Sequence, residues 1–232
     1  SCQAGAYLAS QVRDRYNDLL TEQDSNGTAL YLENIDYQFA NSETCIRLNH
    51  HVGGSDVFLF QSLCNPAPDT SVDQNYMALL MAARAFQEHG ANHVTAVVPY
   101  LAYGRQDKPT DFKREPTTAR LMADLSIEAG IDRLITWHPH CGQIRGFYGD
   151  IPANFLDPLT VFVNTFESFR GRQEVIAVAP DAGASKLAMY FSQAMDLTCA
   201  IGSKFRPRAD ESVIAQIVGD FTGKKTALIL ED

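Results

Sequence analysis

Short runs rich in Val, Ile, Leu and Phe recur along the chain, separated by longer stretches of helical period, and this alternation restricts the fold more than any other feature. The runs are Ala29–Leu32, Cys45–Leu48, Val57–Phe60, Val94–Val98, Leu134–Trp137, Val175–Ala179, Cys199–Ile201 and Ala227–Leu230. Each has the length and composition of a strand buried on both faces. Between them, Tyr7–Leu20, Asn75–Glu88, Thr118–Glu128 and Ser185–Met195 space apolar residues three and four apart, as helices covering a sheet do. Strands alternating with helices predict an α/β fold with open, mainly parallel sheets. Pro and Gly gather near Asn65–Pro68, Tyr100–Pro109 and Gly149–Pro158. The last cluster is the expected boundary between two tandem domains, 1–155 and 156–232, and 232 residues suffice for two modest cores.

A formal net charge of -9 argues against broad attraction to nucleic acid or to an anionic membrane. Any anionic ligand must therefore meet local cations. No apolar run has the length of a bilayer span, and the first residues carry no basic leader region, so neither membrane insertion nor secretion is expected. The five cysteines are scattered without a C-x-x-C pair, which predicts reduced thiols and a cytoplasmic setting. The first residue is not Met and the last apolar run ends the chain, which is read as a trimmed start and an early stop.

Five segments after strand-like runs could carry chemistry. Tyr100 to Thr117 holds Arg105, Lys108, Lys113 and Arg114, four cations that suit a polyphosphate or else form a solvated loop. His138 and His140 follow the next run; two histidines are few for zinc, but one with a distant carboxylate suits a Mg²⁺–nucleotide site. Structural histidines are the alternative. Asp181 opens a small-residue turn before a helix, either as a metal ligand or as a helix cap. Gly202 to Glu211, with Lys204, Arg206 and Arg208, reads as a mobile loop closing over phosphate, or as an exposed charged hairpin. Glu231 and Asp232 end the last run as an acidic pair fit for ribose hydroxyls or a cation, or as a polar strand end.

In this order the segments resemble the ribose-phosphate diphosphokinase (phosphoribosyl pyrophosphate synthetase) family, from about Phe39 to Asp232. The family's Phe-x-(Asp/Asn)-Gly-Glu turn is similar to Phe39-Ala40-Asn41-Ser42-Glu43. Its Tyr-x-Arg-Gln-Asp loop is similar to Tyr103-Gly104-Arg105-Gln106-Asp107, and its Asp-Leu-His-x-x-Gln segment to His138-Pro139-His140-Cys141-Gly142-Gln143. Pro180-Asp181-Ala182-Gly183-Ala184 resembles the Pro-Asp-x-Gly-Gly turn, and Lys204-Phe205-Arg206-Pro207 the flexible Lys-x-Arg-Pro loop. Departures are Ser42 for Gly, His138 for Asp, Ala184 for the second Gly, and an extra residue at Gly149.

The resemblance implies two domains like those of type I phosphoribosyltransferases, with the site between them. It implies that Phe39, Asn41, Ser42, Glu43, Arg105, Gln106 and His140 bind ATP, and that His140 and Asp181 hold Mg²⁺. Lys204 and Arg206 would be catalytic, with Arg206, Glu231 and Asp232 at ribose 5-phosphate, whose phosphate cradle would follow the last residue. It further implies transfer of diphosphate from Mg–ATP to ribose 5-phosphate in a cytoplasmic homo-oligomer, a hexamer or dimer in which a neighbour completes the ATP site. The departures suggest an alternative, a silent member that binds nucleotide or regulates active subunits. A phosphoribosyltransferase would explain the acidic pair but neither cationic segment.

Overall fold

The computed structural model describes residues 1–64, 70–208 and 211–231, the backbone alone for 204–208 and 211–215. The Pro-rich cluster at 65–68 and the predicted ligand Asp232 lie outside the described residues. The chain divides into two compact units, Ser1–Leu156 and Asp157–Asp232.

In the first unit, strands β3 (Asp56–Phe60), β4 (His93–Val98), β5 (Arg133–Trp137) and β6 (Ala153–Leu156) form a fully parallel sheet in that order. Side chains alternate across it. Leu59, Val94, Ala96, Val98 and Leu134 face a core that includes Tyr76, Leu79, Ala82, Ala83 and Phe86 of helix α2 (Val72–Glu88). On the other side, Phe60 and Val97 cluster with Ala9 of α1 (Ala6–Glu22). The α2 stripe recurs at three- and four-residue spacing, as burial on one side requires. The helix starts at a capping box in which Ser71 Oγ accepts from the Gln74 N–H (3.1 Å) and Gln74 Oε1 accepts from the Ser71 N–H (2.8 Å). Helix α3 (Thr118–Glu128) links β4 to β5.

Two expectations for this unit need correction. Ala29–Leu32 is not a strand: the Ala29 N–H donates to Asn17 Oδ1 (2.9 Å) and the Tyr31 hydroxyl to the Ala6 carbonyl (2.9 Å), so local polar partners fix this apolar run beside α1. The first strand is instead β1 (Asp36–Gln38), which has too little apolar pattern to be read; it pairs antiparallel with β2 (Thr44–Ile46), which overlaps the run predicted at Cys45–Leu48. Edge strand β6 lies inside the Gly149–Pro158 cluster, where Pro and Gly hid it.

The second unit contains α4 (Leu159–Thr165), β7 (Val175–Ala179), α5 (Ser185–Met195), β8 (Thr198–Arg208), β9 (Glu211–Val218) and β10 (Thr226–Ile229). Sheet order is β10-β7-β8-β9, parallel except for β9. Ala177 and Ala179 pack with Leu187, Phe191 and Met195 of α5. Because β8 and β10 lie on opposite sides of β7, strand order reverses there. In an open α/β sheet this creates a crevice at the strands' carboxyl ends.

Of the two readings of Gly202 to Glu211, a mobile loop or a charged hairpin, the strands follow the hairpin. Its first part continues β8, with Lys204 opposite Ile214 and Arg208 opposite Glu211. Interspersed charges masked the strand, and Pro207 falls where the register shifts between Phe205 and Arg208, a place a strand tolerates a residue without an N–H. Residues 209 and 210 of that segment lie outside the described residues.

Candidate functional site

The carboxyl ends of β4 and β5 carry the first group of candidate residues. After β4 the backbone enters the left-handed region at Tyr103 (φ 63°) and makes a 3-10 turn over Gly104–Gln106, in which the Gln106 N–H donates to the Tyr103 carbonyl (2.9 Å). Arg105 and Gln106 are exposed on this turn. After β5, His138 has φ 27° and donates its N–H to the Leu156 carbonyl (3.1 Å). His140, also exposed, precedes a second 3-10 turn over Gly142–Tyr148.

These two segments touch. A Cβ added to buried Gly104 would lie 3.8 Å from His140 Cβ and 3.5 Å from Ile144 Cδ1, ordinary van der Waals distances, so the two segments run side by side. Cys141 donates from Sγ to Asp107 Oδ2 (3.3 Å), crossing between the segments. Burial, and then this bond, push the Cys141 thiol up. The Tyr103 hydroxyl donates to Asp73 Oδ1 in the first turn of α2, a bond that pushes the phenol up to about 12. Asp73 and Cys141 as partners of this turn were not foreseen, since neither spacing nor charge pattern marks them.

Phe39, Asn41, Ser42 and Glu43 occupy the tip of the β1–β2 ribbon, outside the parallel sheet that carries Arg105 and His140. The Phe39 N–H donates to the Glu43 carbonyl (2.9 Å), and Asn41 Oδ1 accepts from the Glu43 N–H (3.2 Å), so Asn41 shapes the turn. Ser42 holds φ 71°. The Phe39 ring is 49% exposed, with its centroid 5.4 Å from that of Tyr37.

In the second unit, Asp181 and Glu231 follow β7 and β10, adjacent parallel strands at the reversal of order. The Leu230 N–H donates to the Val178 carbonyl (3.0 Å), which brings Glu231 alongside the start of the Asp181 turn. Asp181 Oδ1 accepts from the N–H groups of Gly183 (2.9 Å) and Ala184 (3.3 Å). It closes the turn ahead of α5, whose own cap residue is Ala184. Lys204 and Arg206 lie on the β8 backbone just beyond Gly202, whose added Cβ would meet the Pro180 carbonyl oxygen at 2.5 Å. Among the described residues, no three His, Cys, Asp or Glu side chains gather to hold a metal, and no helix is long and apolar enough to cross a membrane.

A family model described as the N-terminal domain of ribose phosphate pyrophosphokinase matches residues 1–130. The chain belongs to the ribose-phosphate pyrophosphokinase family. The match starts at the first residue, so the family likeness also takes in α1, which the motif comparison beginning at Phe39 left aside. A Clostridium acetobutylicum ribose-phosphate pyrophosphokinase is 38% identical over 193 residues, 83% of this chain and 58% of the relative. One from Hyphomonas neptunium is 35% identical over 233 residues, 100% of this chain and 69% of its own length. The crystal structure of phosphoribosylpyrophosphate synthetase from Mycobacterium smegmatis superposes with a TM-score of 0.73 at 30% identity, covering 94% of this chain and 67% of that one. The chain thus spans less than two thirds of the Clostridium family member.

Proposed function

We propose that the protein transfers diphosphate from Mg–ATP to ribose 5-phosphate, releasing AMP and 5-phosphoribosyl 1-diphosphate. The observation that carries this reading is the contact between the Tyr103–Asp107 turn and the His140 segment, made by Cys141 on Asp107 at the ends of neighbouring parallel strands in a chain of this family. On this reading Arg105 and Gln106 grip the triphosphate from exposed positions, where the guanidinium supplies charge and directed N–H donors. Phe39 stacks on adenine, with Asn41, Ser42 and Glu43 around it. Arg206, Glu231 and Asp232 bind ribose 5-phosphate.

The Asp181 carboxylate is the hard oxygen donor that Mg²⁺ would take. A hard cation that takes most of its ligands from phosphate and water asks the protein for few, and the family resemblance implies His140 and Asp181 for them. When bound, Mg²⁺ would neutralise charge on the triphosphate and favour its in-line geometry. The protein's own part is positioning: the anomeric hydroxyl is directed at the β-phosphorus while Lys204, beside Arg206, meets charge as it builds on the transferring group. The further expectation is a cytoplasmic homo-oligomer, hexamer or dimer, in which a neighbour completes the ATP site.

Ribose-5-phosphate-dependent AMP release tests these assignments. Lys204→Ala should lower kcat by about a hundredfold or more, the effect of removing one well-placed transition-state donor. Arg105→Ala should chiefly raise KM for ATP. A protein that binds ATP but releases no AMP with ribose 5-phosphate would instead be a silent, regulatory family member.

A further inference from the structure

We propose that Tyr103 and Asp73 are positioning residues, a hydrogen-bonded latch that sets Arg105 and Gln106 for nucleotide. The inference rests on the reading that these two residues hold ATP. Tyr103 is where the chain bends into the turn, at a φ of 63° that costs a non-glycine residue energy and persists only when its surroundings enforce it. The enforcing contacts come from α2. The phenol hydroxyl donates to Asp73 Oδ1, and the ring packs 6.0 Å, centroid to centroid, from Tyr76 one helical turn further on.

Tyr76 is itself fixed. It is 3% exposed, and its hydroxyl lies 3.2 Å from Ser126 Oγ of α3. The turn is therefore tied through two aromatic rings to both helices that cover this face of the sheet. Its far end is held separately by Cys141 on Asp107. Arg105 and Gln106 sit between two fixed points, which spares a bound triphosphate the entropy of ordering them. With its pKa pushed up to about 12, the phenol remains a donor even above the ordinary tyrosine range.

The test measures Mg–ATP affinity by calorimetry on the whole chain, and exchange of the Gln106 amide, for Tyr103→Phe, Asp73→Ala, Asp73→Asn and the Tyr103→Phe/Asp73→Ala double variant. Expected are about tenfold weaker binding and faster Gln106 exchange in Tyr103→Phe and Asp73→Ala, with no additional loss in the double variant. Asp73→Asn, whose amide oxygen still accepts, should restore both readouts, which a general loss of helix stability would not predict. A Tyr103→Phe protein that matches the parent in affinity and exchange overturns the latch. Additive losses in the double variant also overturn it. A parent chain that binds no ATP overturns the nucleotide reading itself, and the positioning role with it.

Discussion

Ser42 carries a side chain at φ 71°, a conformation in which Cβ crowds the backbone and glycine is at ease. The family turn it resembles has Gly there, so the geometry accounts for the family's choice and makes Ser42 a local cost. Ser42→Gly should stabilise the chain by about 1 kcal/mol, read as a rise of a few degrees in Tm. Cysteine environments also differ. Cys2 is 0% exposed and burial pushes its thiol far up, whereas Cys64 is exposed. Mass spectrometry after brief iodoacetamide treatment should find Cys64 alkylated first and Cys2 only on unfolding; early labelling of Cys2 would contradict its burial. Tyr103 has a pH signature whose sign is fixed by its raised pKa. Its contribution is complete below the ordinary tyrosine value of 10.0 and is lost as pH climbs through about 12, so thermal melts across that range should lose stability less steeply in Tyr103→Phe than in the parent. Residue types in the Tyr103 to Asp107 motif were legible from sequence. Their partners were not, because Asp73 is distant in the chain and looks like an ordinary first-turn acid.

Among the elements, strands with long apolar runs were readable and those without were hidden. β7 coincides with its predicted range, while β1 and β6 were missed because three or four residues among Asp, Pro and Gly carry almost no periodicity. The extension of β8 through Arg208 was ambiguous for another reason: its charged residues read equally as a loop or a hairpin, and an antiparallel edge tolerates them. Helix boundaries depended on capping chemistry. Ser71→Ala should cost about 1 kcal/mol by removing the Oγ that accepts from the Gln74 N–H in the α2 capping box, measurable in denaturant melts as a lower midpoint with an unchanged slope. At the start of β8's charged stretch, Gly202 faces a carbonyl rather than a flexible side chain, so the clash has no easy release. Gly202→Ala should therefore destabilise by roughly 2 kcal/mol or more, as overpacking against backbone does. A neutral result would mean that β8 does not lie so close to Pro180.

For the molecule as a whole, two α/β units each place candidate ligands at the carboxyl ends of parallel strands, in agreement with the fold class read from strand and helix alternation. In the first unit the turn of Arg105 and the segment of His140 are in contact; in the second, Asp181 and Glu231 end neighbouring strands at the reversal of sheet order. Sequence alone could nominate these residues because each follows a recognisable strand. It could not pair them, since pairing depends on strand order, which periodicity does not encode. The central claim is transfer of a diphosphate rather than a single phosphoryl group, and ³¹P NMR of the protein as its gene encodes it, given Mg–ATP and ribose 5-phosphate, tests it most directly. The account predicts AMP and a sugar 1-diphosphate appearing in equal amounts and only when both substrates are present; ADP with a sugar monophosphate product, or ATP left unchanged, would contradict it.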